Sequence, residues 1–88
     1  MAHLWISLKE DNTYQVQIFG IYSDFGMREF QNRGDLIASL QRTFEYSQDS
    51  LNNFNEKLDD LIGKPKGSVL PVQLSTEQSQ RLIERDLK

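Results

Sequence analysis

The hydropathy pattern predicts an α+β fold: a small antiparallel sheet, built from an N-terminal β-hairpin and one or two further strands, with two or three helices packed on one face. Three observations point there. Apolar residues alternate with period two near the N-terminus, recur at helical spacing through the middle, and form a short run before a capping box near the C-terminus. Trp5, Phe19, Phe25, Phe30, Phe44 and Phe54 are spread along all 88 residues, which predicts one core and a single domain over 1–88.

In residues 4–8, Leu4, Ile6 and Leu8 alternate with Trp5 and Ser7, the pattern of a strand with one buried face. Glu10-Asp11-Asn12-Thr13 is a polar turn cluster. Residues 14–22 form the second strand, with Tyr14, Val16 and Ile18 against Gln15 and Gln17, and the two strands make a hairpin. Gly20 breaks the alternation and marks a bulge or bend. Residues 23–34 admit two readings. Ser23 or Asp24 could cap a short helix, or Met27–Gln31 could be a third strand; the bracketing glycines, Gly26 and Gly34, favour the strand.

Leu36, Ile37, Leu40 and Phe44 place a helix over 35–46, with Asp35 as the expected N-cap. Leu51, Phe54, Leu58, Leu61 and Ile62 place helical structure over 51–62, stopped by Gly63 at C′ and Pro65 just beyond. The apolar phase runs nearly unbroken from Leu36 to Ile62, so 35–62 could be one helix of roughly 42 Å. Ser47-Gln48-Asp49-Ser50, good caps and poor helix formers, favours two. Val69, Leu70, Val72 and Leu74 then form a short strand, and Pro71, which has no N–H to donate, assigns it to an edge of the sheet. Ser75 and Gln78 form a capping box that opens a last helix with a thin apolar face of Leu82, Ile83 and Leu87.

The absence of cysteine excludes disulfides and thiolate metal sites, and a lone histidine, His3, excludes a poly-histidine one. The net charge of −3 is too small for a steering field. No apolar run approaches the roughly 18 residues of a membrane span. Residues 1–8 lack a basic n-region, so the expected location is cytoplasmic, without a membrane partner. Asp24-Phe25-Gly26 copies a kinase magnesium motif without the catalytic loop or length a kinase needs, and Arg33-Gly34-Asp35 reads as a turn and cap. His3 reads as an exposed terminal residue. Asp59 and Asp60 diverge by about 100° on a helix, and Glu56 and Asp60 read as a solvated face. With no glycine-rich phosphate loop either, the expectation is a non-enzyme without cofactor or metal.

The leading functional expectation is a small protein-interaction, adaptor or regulatory module that engages another protein or a second copy of itself. Its candidate surfaces are the outward aromatic pair Trp5 and Phe19, the edge strand Val69–Leu74, and the helical stripe that carries Leu51 and Phe54. The alternative is an RNA- or DNA-binding regulator using Arg28, Arg33 and Arg42, which interleave with Phe25, Phe30 and Phe44. The low pI of about 5.0 and the intervening Asp24, Glu29, Asp35 and Glu45 weigh against it.

Overall fold

A computed structural model describes residues 2–20 and 26–87. Among these, the elements run β1 (His3–Leu8), β2 (Tyr14–Phe19), β3 (Gly26–Phe30), α1 (Arg33–Phe44), α2 (Gln48–Ile62), β4 (Val69–Gln73) and α3 (Thr76–Arg85). The strands form one antiparallel sheet in the order β3-β2-β1-β4. The hairpin, the third strand at 26–30 and the edge position of the Pro71 strand agree with the sequence pattern. The last residues of the expected second strand, the caps at Ser23 and Asp24, and Phe25 lie outside the described residues.

Period-two alternation sorts the sheet into two faces. Leu4, Ile6, Leu8, Tyr14, Val16, Ile18 and Phe30 are buried on one of them. The helices supply the opposing layer: Leu36, Leu40 and Phe44 from α1, Phe54, Leu58 and Leu61 from α2, and Leu82 from α3. Leu74 and Leu87 close the same core. The result is a slab of 31 × 31 × 20 Å, thin in the direction that stacks two layers about 10 Å apart.

One hydrogen bond fixes the phase of the whole ladder. The Leu74 N–H donates to the Ala2 carbonyl at 3.1 Å. Antiparallel pairs alternate between bonded and non-bonded, so Leu70 and Val72 also turn their backbone groups toward β1. Val69, Pro71 and Gln73 turn theirs away from the sheet. Carried across the registers, His3, Trp5 and Ser7 bond to β2, Tyr14, Val16 and Ile18 bond to β3, and Met27 and Glu29 point outward at the far edge. The Lys9 N–H donating to the Thr13 carbonyl at 2.9 Å, just beyond the hairpin strands, keeps the same phase.

The two central helices are separate. Glu45 takes the left-handed conformation (φ 53°) that ends α1, and the Ser47 hydroxyl accepts from the Ser50 N–H to start α2. The N-cap of α1 is Asn32 rather than Asp35: Asn32 Oδ1 accepts from the Asp35 N–H at 2.9 Å. Asp35 sits in the first turn instead, where its charge complements the helix dipole. Gly63 is also displaced from its expected role. It is the C-cap itself, right-handed at φ −74°, and its N–H reaches the Asp59 carbonyl to close the last turn of α2, with Pro65 two residues beyond. The capping box of Ser75 and Gln78 forms in full.

Alpha-3 is held to α1 by its arginines. Arg81 Nη1 donates to the Phe44 carbonyl at 2.7 Å, and Arg85 Nη1 to the Arg42 and Thr43 carbonyls at 3.1 and 3.4 Å. Both thereby satisfy carbonyls that the end of α1 leaves without an intrahelical partner. Just past α3, Asp86 receives both bonds of Arg28 Nη2, at 2.7 and 2.8 Å, from β3. Replacing Phe54 by Ala opens the α2 side of the core and should lower the unfolding free energy by about 3–5 kcal/mol. Ile62→Ala, at a residue 49% exposed on the same helix, should stay within about 0.5 kcal/mol. Urea melts of the two variants check this ordering.

Candidate functional site

The face of the sheet opposite the helices is open among the described residues, and the registers arrange its side chains in rows. The middle row reads Pro71, Trp5, Gln17, Met27 from β4 to β3. On one side lie Gln73, His3 and Phe19, on the other Val69, Ser7, Gln15 and Glu29. Trp5, Met27 and Val69 are each about 40% exposed, large apolar groups left in water.

The aromatic members gather into one cluster. Trp5 and Phe19 are diagonal neighbours on β1 and β2, with ring centroids 4.9 Å apart and planes tilted by 58°. The His3 ring stacks on Phe19 at 4.9 Å, 13° from parallel, and lies 6.2 Å from Trp5. Tilted and offset arrangements of this kind suit the ring quadrupoles. Gln15 Nε2 donates to the Met27 sulfur at 2.8 Å. Among the described residues the one charged side chain in these rows, Glu29, is held by Lys9 Nζ at 2.8 Å on the rim. That pair shifts the Lys9 ammonium above its ordinary range, chiefly through the hydrogen bond to Glu29.

Of the surface residues expected from sequence, Trp5 and Phe19 come together and the α2 pair is taken apart from them. Phe54 is only 8% exposed and belongs to the core, and Leu51 is half-buried in the helical layer. The helical stripe is thus turned inward against the sheet. His3 is not a loose terminal side chain: strand pairing to Phe19 and Gln73 fixes it within the aromatic cluster. Sequence reasoning missed His3, Met27 and Pro71 as members of this face. The signal for His3 was its spacing of two from Trp5; Met27 and Pro71 needed the registers of β3 and β4.

The arginines do not form a patch. Arg28 is bound to Asp86, and Arg33 Nη2 to Asp59 Oδ1 at 2.8 Å. Burial lowers the Arg33 pKa, but the hydrogen bonds it donates to the Tyr14 hydroxyl and to Asp59 more than offset this, so the guanidinium is held firmly charged in place. Arg42 is exposed beside Glu29 and Asp35 around a shallow depression of 220 Å³. Nine residues along α1 separate it from Arg33, about 14 Å. A larger depression of 480 Å³ lies at the β1–β2 turn, where Lys66 donates to Asn12 and Lys9 to Glu29. Glu56 and Asp60 are exposed on α2.

Both edges of the sheet are blunted. On β4 the central outward position is Pro71, which has no N–H to offer an added strand. On β3 the outward Met27 carbonyl accepts from Arg28 Nη1 at 2.9 Å, and the same guanidinium is clamped by Asp86. The edge strand expected to receive a partner is therefore poorly equipped to do so, and the open face is the surface with chemistry to offer. No described helix is long and apolar enough to cross a membrane.

Pro71→Val restores the missing donor at the β4 edge while keeping an apolar side chain on the face. Light scattering at high concentration should then show assemblies larger than two copies that the parent chain does not form. Unchanged scattering would mean that the edge is closed by something other than Pro71. Compared with known proteins, the chain matches no family model, and searches of curated proteins and of solved structures return no significant similarity.

Proposed function

We propose that this protein is a non-enzymatic interaction module, of adaptor or regulatory type, whose contact surface is the open face of the sheet. The observation that carries this reading is the Trp5–Phe19–His3 cluster on the two central strands, with Pro71 and Met27 at the two ends of the row that holds Trp5. Tryptophan, other aromatic residues and methionine are enriched at the centres of protein interfaces and charged residues are depleted there. Both features describe this face. A tryptophan held by its neighbours on a rigid sheet also loses little conformational entropy on binding.

The nucleic-acid alternative lacks comparable support. Stacking platforms for single strands need cations beside the rings to meet phosphates. Here Arg28, Arg33 and Arg42 lie off the open face, Arg28 is paired with Asp86 and Arg33 with Asp59, and the lysine nearest the face is paired with Glu29.

The test is capture from lysate with a tagged chain, with and without nuclease, in parallel with Trp5→Lys. A protein partner, another copy included, should survive nuclease and fall at least tenfold in recovery with Trp5→Lys while the circular dichroism spectrum is unchanged. Recovery of nucleic acid that nuclease removes, unaffected by Trp5→Lys, would overturn the reading in favour of the alternative.

A further inference from the structure

We infer that the occupant of the open face is a second copy of this chain, the two faces meeting in a symmetric two-fold contact; this rests on the reading of that face as the contact surface. Charge is the first argument. A face that meets its own copy brings like charges together, so it must carry few of them. The chain is 26% charged, yet among the described residues the rows of this face hold only Glu29, and Lys9 neutralises it at the rim. A partner recognised through opposite charge would find on these rows only the Glu29–Lys9 pair, already neutralised, and an identical face meets little repulsion.

Hydrogen bonding gives the second argument. In a two-fold contact one patch serves both copies, residue i facing j and j facing i, so the surface must be complementary to itself. Near the axis, where a group meets its own copy, a carboxylate or an ammonium fails that condition and a primary amide meets it, because one group carries donors and an acceptor. The polar members of the face include Gln15, Gln17 and Gln73. No side-chain hydrogen bond joins Gln17 or Gln73 to another described residue. Gln15 donates only to a thioether sulfur, a weak acceptor.

Closure completes the case. With Pro71 blunting one edge and Arg28 capping a carbonyl on the other, association through the face ends at two copies and cannot extend strand by strand. Trp5, Met27 and Pro71 then leave water together, with the glutamines bonded across the axis.

Sedimentation equilibrium from micromolar to millimolar concentration, read alongside tryptophan emission, tests this. Trp5 is the only tryptophan, so the emission reports on this face alone. The expected result is a mass rising from 10.3 kDa to roughly twice that, with emission shifting to the blue along the same isotherm. Trp5→Lys should weaken the dimer at least tenfold. Gln17→Glu, a near-isosteric change that sets like charges close to the axis, should weaken it similarly at neutral pH; circular dichroism confirms that both variants fold. A mass fixed at one copy to millimolar concentration overturns the inference. So does a dimer whose Trp5 emission is unchanged and which tolerates Trp5→Lys, because it would form elsewhere. If the chain is monomeric but Trp5→Lys still abolishes capture of a different protein, the second copy is refuted and the contact face survives. If neither property depends on Trp5, both readings fall.

Discussion

The organisation of this protein depends on a single constraint, the phase of the antiparallel ladder set where Leu74 bonds to Ala2. In a strand, the direction of a side chain and that of its backbone groups alternate together. Fixing one residue therefore fixes both properties for every strand in register with it. In β4 the outward-bonding residues are also those whose side chains lie on the open face, so Pro71 contributes to the face and blunts the edge at once. In β1 the parity that sends Leu4, Ile6 and Leu8 into the core leaves His3, Trp5 and Ser7 on the other side. A slip of one residue would bury Ser7 and His3 and expose the aliphatic residues, which is why the register is well specified.

The helical layer is tied down differently, by arginines at helix ends. Arg81 and Arg85 reach from α3 to the last carbonyls of α1, and Glu45, in its left-handed turn, accepts from Arg85 Nη1 at 3.0 Å. Arg28 joins the outer strand to Asp86 across 58 residues of sequence. These contacts are partly exposed, so each contributes modestly. Their geometric effect is larger. They set where α3 lies against α1 and bring Leu87, 1% exposed, into the core beside the sheet.

Legibility from sequence followed how local each determinant is. The hairpin rests on alternation within a few residues, and the break between α1 and α2 on Ser47, whose cap is read within one turn. The box of Ser75 and Gln78 is local in the same way. The start of α1 was misplaced because Asn32 and Asp35 are both competent caps, and the choice depends on which one the preceding strand delivers to the helix. Phe54 and Leu51 lie one turn apart on the same stripe, so periodicity cannot tell which is buried more deeply; the angle at which α2 crosses the sheet decides. The pairing of Arg28 with Asp86 and of Arg33 with Asp59 was invisible because both partners are distant in the chain. Trp5 and Phe19 were legible in the sequence, His3 could be found from its spacing of two from Trp5, and Met27 and Pro71 needed the registers.

The strand order has a consequence for how the chain folds. Beta-1, β2 and β3 form a local meander, whereas β4 pairs with β1 from more than sixty residues away. Loop closure delays such contacts relative to local ones. Before β4 docks, β1 is itself an edge strand, with the backbone groups of Leu4 and Ile6 unpaired and their side chains apolar. The proline that guards the finished sheet arrives only with the last strand. The native protein is thus shielded against strand addition, whereas a partly folded chain in which β4 has not yet paired presents β1 as an open edge.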